Sequence, residues 1–178
     1  MSPRKSPEST ISSFQRLLYG LLDIEVEGTP QEIELLFWDA SFAMEPTPGI
    51  TKVLTQLKDQ GIRLAVLSNM TFGGAVIAHE LRKHGLSGYF DFVASSSDYG
   101  FRKPAKVLFE VVLRKAKCQP DQAWYVGDSF EADVMGASGA GLHPVWYNPA
   151  RIVTESPVRH LEIHEWSELV SAVNQRIA

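Results

Sequence analysis

The sequence predicts a doubly wound α/β fold, a parallel sheet with helices on both faces, preceded by a small helical piece. Three observations carry that prediction. From Gly49 onward, short apolar runs fit for buried strands alternate with stretches of helical period. The runs close on polar or small residues, as strands do where they deliver side chains to the carboxyl edge of a parallel sheet. A chain of 178 residues, 44% hydrophobic, is long enough for one domain with a small appendage and a real core.

The elements follow in order. The opening "MSPRKSPESTISS" is positively charged with no apolar segment behind it, which reads as a short disordered tail and not a secretory signal. "FQRLLYGLLDI" and "PQEIELLFWDASF" have apolar residues at helical spacing. Thr29–Pro30 supplies a cap and first turn for the second, in which Ile33, Leu36 and Ala40 share one face. "EPTPGI" punctuates the chain near residue 48, so a helical piece over 1–47 is expected before an α/β core over 48–178. In that core the helix "GITKVLTQLKDQG" precedes the strand "IRLAVLS", and "GGAVIAHELRKHG" precedes "FDFVASS". "AKVLFEVVLRKAK" then leads to the strand "AWYVG", "FEADVMGASGAG" to "HPVWY", and a last helix lies near "EWSELVSAVNQRI".

The net charge of −4 argues against nucleic acid or an anionic membrane as partner. Cys118 is the only cysteine, which excludes an intramolecular disulfide and suits a reducing cytoplasm. No apolar run approaches the ~18 residues of a membrane span. The expectation is a soluble cytoplasmic protein.

Ligands of such sheets bind beyond the carboxyl ends of the strands, so the polar residues there are the candidates. Ser68 and Asn69 follow "RLAVL", Lys103 stands in "FRKP" before a helix, and Asp128 and Ser129 follow "AWYVG", with Glu131 and Asp133 one turn on. A hydroxyl, an ammonium and a carboxylate cluster suit phosphoryl transfer: donors hold phosphate oxygens, a lysine neutralises charge, and carboxylates bind hard Mg²⁺. Taken singly, each has a plainer reading. Ser68 could form a turn, Lys103 could be a solvated surface lysine, and Asp128, Ser129 and Asp133 could cap and complement a helix N-terminus. Order, strand-end position and spacing together are far more specific.

From Pro48 to about Asn148 the chain resembles the haloacid dehalogenase-like hydrolases, in the branch with a helical cap inserted early in the chain. "IRLAVLSN" is similar to that family's second motif, "GFRKPAKVLFEVVLRKA" to the third and "WYVGDSFEADVMGASGAG" to the fourth. The resemblance implies a Rossmann-like core and a Mg²⁺-dependent hydrolase, a phosphatase before a dehalogenase, acting on a small phosphorylated metabolite. It implies Ser68 and Asn69 as phosphate-binding residues, Lys103 as the motif lysine and Asp128 as a metal ligand. Asp133 would support the metal or the lysine. The segment from Thr10 to Phe42 would be the later part of the cap.

The family's first motif, a strand ending in Asp-x-Asp, supplies the aspartate that becomes phosphorylated and the general acid/base. No Asp-x-Asp occurs in this sequence. The nearest candidate is Asp39 in "LLFWDAS", which matches the end of the cap helix and lacks the second carboxylate. The resemblance thus implies a chain shortened before the first motif and inactive by itself. The alternative is a non-catalytic phosphate- or partner-binding module. The missing strand would lie between "IRLAVLS" and "AWYVG", leaving each with an open edge and a route to self-association.

Other candidates are bland. His160 and His164 have i,i+4 spacing, but "HLEIH" is equally a strand; His79, His84 and His143 form no ligand pattern. Trp38, Trp124, Trp146 and Trp166 read as packing residues, and Gly136, Gly139 and Gly141 as close-packing or helix-ending positions.

Overall fold

The computed structural model describes residues 10–177. The Thr10 side chain accepts from the Ser13 backbone N–H and caps helix α1 (Ile11–Leu21), so this helix begins inside the stretch expected to be a tail. The rest of that stretch, residues 1–9, lies outside the described residues. Helix α2 (Pro30–Ser41) opens on a capping box: the Thr29 hydroxyl accepts from the Glu32 N–H, and the Glu32 carboxylate accepts from the Thr29 N–H at 2.7 Å. Helix α3 (Ile50–Asp59) starts after Gly49, whose φ of 83° is a left-handed conformation that favours glycine. Strand β1 (Ala65–Ser68), helix α4 (Gly74–Lys83), strand β2 (Phe92–Ser95) and the single turn α5 (Ser96–Tyr99) follow. Next come α6 (Lys106–Ala116) and β3 (Trp124–Gly127).

The expected helix "FEADVMGASGAG" divides in two. A wide π turn spans Phe130–Met135, where the Val134 N–H reaches back five residues to the Ser129 carbonyl at 3.4 Å, and α7 (Gly136–Gly139) completes it. Strands β4 (His143–Tyr147) and β5 (Leu161–Ile163) and helix α8 (Trp166–Ile177) end the chain. The strand β5 lies between His160 and His164, so the two imidazoles do not share a helix turn. Strand β1 is shorter than its apolar run because the Ile62 N–H is used on the Leu57 carbonyl, closing α3.

The residues group into two compact units, each built from separate stretches of chain. The chain passes from the first to the second at Pro46–Thr47, back at Leu64–Ala65, and again at Arg102–Lys103.

In the first unit β1 and β2 pair in parallel, in a register that places Ser68 opposite Ser95. Its core is Trp38, Phe72 and Val76, with Ile11, Leu35 and Met70 packed against them. The Trp38 ring stacks on Phe42 at 4.6 Å and meets Phe72 edge-on at 4.9 Å. The inward face of α2 is not the one its aliphatic residues predict: Glu34 and Trp38 are buried, whereas Leu36 is 67% exposed and Ala40 also faces out. Polar partners decide this. The Trp38 indole donates to Glu80 at 2.8 Å, and Glu34 accepts from the Gly73 N–H at 2.9 Å at the start of α4. Asp98 accepts from the adjacent Gly74 N–H at 3.1 Å, so two carboxylates share one helix N-terminus.

Burial pushes the Glu34 carboxyl above the ordinary glutamate range, the Gly73 hydrogen bond opposes this, and the Asp98 charge adds to the rise. A carboxyl whose pKa is raised on folding favours the acid side. Its contribution is present below the unfolded value and is lost as pH rises through the folded one. Glu34→Gln keeps a carbonyl acceptor and removes the charge. The variant is expected to melt about 2–4 °C above the parent at pH 8, with the gap closing by pH 4. A parent that melts higher at pH 8 would contradict this account.

In the second unit the strands run β3–β4–β5, all parallel, with Trp124 opposite His143 and Val145 opposite Leu161. Helices cover both faces, as predicted. Val145 and Ile163 pack on Val53 and Leu57 of α3 and on Leu169 and Val170 of α8. From the other face Tyr125 meets Phe109 of α6 edge-on at 5.1 Å. Among the described residues β1 pairs only with β2, and β3 ends its own sheet by pairing only with β4. An apolar groove of about 430 Å³ includes Trp124 and Val126 of β3, with Leu57, Leu64, Leu169 and Val173. None of the described helices is long and apolar enough to cross a membrane.

Candidate functional site

Strand β3 delivers the first group of candidates. It ends at Gly127, and a Cβ there would lie 2.3 Å from the Asp133 carboxyl, so only glycine lets that carboxylate fold back against the strand. Asp133 is 3% exposed and uses both oxygens: Oδ1 accepts from Lys103 Nζ at 2.6 Å and Oδ2 from the Ser129 N–H at 2.9 Å. The Lys103 ammonium also donates to the Tyr125 hydroxyl at 2.8 Å and lies 5.3 Å from the centroid of that ring. Burial drives the Tyr125 phenol far above its ordinary range, with the Asp133 charge adding to it, so Tyr125 stays neutral at any working pH.

Asp128, by contrast, is exposed. The Trp146 indole donates to its backbone carbonyl at 2.9 Å, fixing the strand end, while its carboxylate takes no hydrogen bond among the described residues. Phe130 packs edge-on to Trp146 at 4.9 Å, and the Ser129 hydroxyl accepts from the Ala132 N–H at 3.2 Å. The result is a buried ion pair one turn beyond a solvent-facing carboxylate. Hard Mg²⁺ requires oxygen ligands and keeps several waters, and Asp128 fits that demand. Of the two roles implied for Asp133, its hydrogen bonds are those of a residue that supports the lysine.

Ser68 and Asn69 belong to the first unit, at the end of β1, and Lys103, Asp128 and Asp133 belong to the second. The loop from Asn69 to α4 is held by serines: Ser96 Oγ accepts from the Met70 N–H at 3.0 Å, and Ser95 Oγ donates to the Phe72 carbonyl at 2.6 Å. These serines and Tyr125 were not among the sequence candidates. Three successive serines closing an apolar run was the available signal.

Asp39 sits in the last turn of α2, not at a strand end. It accepts from Lys83 Nζ at 3.1 Å and pairs with His79 Nε2 at 3.0 Å, which together hold its carboxyl below the usual aspartate range. No ligand pattern in the sequence includes His79, yet the fold places it with Asp39 and Glu80, ligand-type atoms within 4.8 Å of one another. Lys83 bonds both carboxylates, at 3.1 Å to Asp39 and 2.9 Å to Glu80, so the cluster already contains its cation. A carboxylate held this way is a poor nucleophile. The tryptophans pack as expected, and three also donate: Trp38 to Glu80, Trp146 to Asp128 and Trp166 to Thr47. Gly136 is a close-packing position, since a Cβ would stand 2.8 Å from the Phe109 ring, and Gly141 turns the chain at a φ of 85°.

Residues 37–147 match the family model for haloacid dehalogenase-like hydrolases. The chain is 30% identical over 154 residues to a ribulose-1,5-bisphosphate 5-phosphatase from Halopiger xanaduensis, an alignment covering 83% of this chain and 64% of the relative. It is 34% identical over 131 residues to a glyceraldehyde 3-phosphate phosphatase from Methanothermobacter thermautotrophicus, covering 72% and 55%. The chain thus spans 55–64% of the length of these relatives. Among solved structures, a 2-haloacid dehalogenase from Pseudomonas syringae superposes with a TM-score of 0.74 at 28% identity, covering 95% of this chain and 73% of that one. A phosphatase of the same fold from Thermococcus onnurineus gives 0.69 at 25% identity, covering 89% and 69%.

Proposed function

This chain belongs to the haloacid dehalogenase-like hydrolase family, and on that premise we propose that it carries the phosphate- and metal-holding part of a Mg²⁺-dependent phosphatase for a small phosphomonoester. The observation that carries the reading is the buried Lys103–Asp133 pair one turn beyond the exposed Asp128. The relatives from Halopiger and Methanothermobacter are named for small phosphorylated sugars, which supports a substrate of that class.

In this reading Ser68 and the backbone at Asn69 donate to phosphoryl oxygens, and Lys103 neutralises the charge that spreads over them. Asp133 and Tyr125 keep the ammonium in place. Asp128 would hold Mg²⁺, which when bound supplies further charge neutralisation on the phosphate. The covalent step of the family needs an aspartate from the first motif, and these 178 residues contain no Asp-x-Asp. That observation favours a second reading as well, a module that binds phosphate without turnover.

Two measurements test the proposal. Titration of inorganic phosphate in the presence of Mg²⁺ is expected to shift the amide signals of Ser68, Asn69, Lys103 and Asp128 with one shared dissociation constant; separate constants would dismantle the site. Hydrolysis of an aryl phosphate by the chain alone is expected to match the buffer rate with Mg²⁺. A Mg²⁺-dependent rate abolished by Asp128→Asn would reveal a nucleophile elsewhere, with Asp39 the first to replace.

A further inference from the structure

Ser95 and Ser96 are fully buried and Ser97 is 9% exposed, at the point where β2 gives way to α5. Buried hydroxyls need partners, and all three find them on one short piece of backbone, the loop that follows Ser68 and Asn69. Ser96 Oγ accepts from the Met70 N–H at 3.0 Å and donates to the Met70 carbonyl at 3.1 Å, closing a ring around that residue. Ser95 Oγ and Ser97 Oγ converge on the Phe72 carbonyl at 2.6 and 2.7 Å, one donor for each lone pair. The loop lies between β1 and α4; its Thr71 carbonyl accepts from the Ile11 N–H at 3.1 Å, and its Met70 and Phe72 backbone groups are held by these side chains. The register adds a second tie, since Ser68 pairs with Ser95 as the last rung of β1–β2.

We propose that Ser95, Ser96 and Ser97 form a clamp of positioning residues that fixes the backbone of Met70–Phe72 and thereby aims the Ser68 hydroxyl and the Asn69 backbone at an anion; the aim, though not the clamp, rests on the phosphate-site reading above. None of the three touches the anion. Their chemistry is that of hydroxyls standing in for water on a loop whose Met70 is half-buried and whose Phe72 is buried. The Met70 N–H and the carbonyls are not equally served. Among the described residues Ser96 is the only partner of the Met70 N–H, whereas the Phe72 carbonyl keeps one donor if the other is removed, and the Met70 carbonyl has Ser95 Oγ at 3.4 Å beside Ser96 Oγ at 3.1 Å. Ser96→Ala therefore disturbs the loop far more than Ser97→Ala.

Amide exchange and phosphate titration on the full chain with Mg²⁺ separate the two claims. Ser96→Ala is expected to speed exchange at Met70 at least tenfold and to weaken inorganic phosphate at Ser68 and Asn69 at least fivefold, with the amides of Val66 and Val93 unchanged. Ser97→Ala is expected to stay within about threefold on both readouts. Unchanged exchange at Met70 in Ser96→Ala would overturn the clamp, and so would a loss in Ser97→Ala as large as in Ser96→Ala. Faster exchange with undiminished phosphate affinity would overturn the aiming role. If phosphate leaves Ser68 and Asn69 of the parent unmoved, the phosphate-site reading falls and the aim with it, while the Met70 rate still decides the clamp.

Discussion

Asp133→Ala is expected to destabilise the fold by about 3–5 kcal/mol, because removing one member of a buried ion pair strands the other. For a chain of this size that lowers the melting temperature by roughly 10 °C. Both side chains are nearly enclosed, Lys103 at 9% and Asp133 at 3% exposure, so the ammonium left behind has little water to turn to. The Ser129 N–H loses its acceptor at the same time. The pair should therefore be strongly coupled. Lys103→Met combined with Asp133→Leu is expected to lose less than the sum of the single changes, since it leaves no buried charge. Denaturant titrations of Asp133→Ala, of the double variant and of its two single changes measure this. A loss under about 1 kcal/mol for Asp133→Ala, or strict additivity, would mean that the pair is far better solvated than its burial indicates.

The second large effect concerns the sheet edges. An N-terminal apolar strand of the kind the family's first motif supplies, added to this chain, is expected to raise its melting temperature by ~10 °C or more and to suppress association. Among the described residues strand β3 has one partner, and an apolar groove lies beside it, a combination that templates pairing with another chain. Burying two aliphatic side chains in that groove is worth about 3–6 kcal/mol, a large share of the ~5–15 kcal/mol by which domains are stable. Light scattering over a concentration series and thermal melts of both versions decide the matter. A 178-residue chain that stays monomeric and melts as high as the longer one would show that both edges are already satisfied.

How much was legible follows from where the signal lies. Strand ends could be read because an apolar run that stops on Ser68 or Gly127 announces both the element and its carboxyl terminus. Lys103, Asp128 and Asp133 were legible through order and spacing. Tyr125 was hidden by its own strand: its ring packs on Phe109 like any core aromatic, and only its hydroxyl turns to Lys103. Glu34 and Glu80 were missed because apolar periodicity treats every acid as a surface residue, whereas these two satisfy a helix N-terminus and an indole. Likewise the π turn at Phe130–Met135 is set by the fold-back of Asp133, a tertiary requirement that leaves no periodic trace.

The interleaving of the two units imposes an order in time. Every stretch of the first unit has been synthesised once Arg102 is made, whereas the second must wait for its C-terminal helix. Val53 and Leu57 emerge early and find Leu169 and Val170 only at the end, after roughly 110 further residues. At ~5–20 residues per second, that apolar face of α3 waits for its α8 partners for about 6–22 s on the ribosome. Synthesis halted before α8 would release a polypeptide whose α3 face lacks Leu169 and Val170, a substrate for chaperones or proteases before it is a protein.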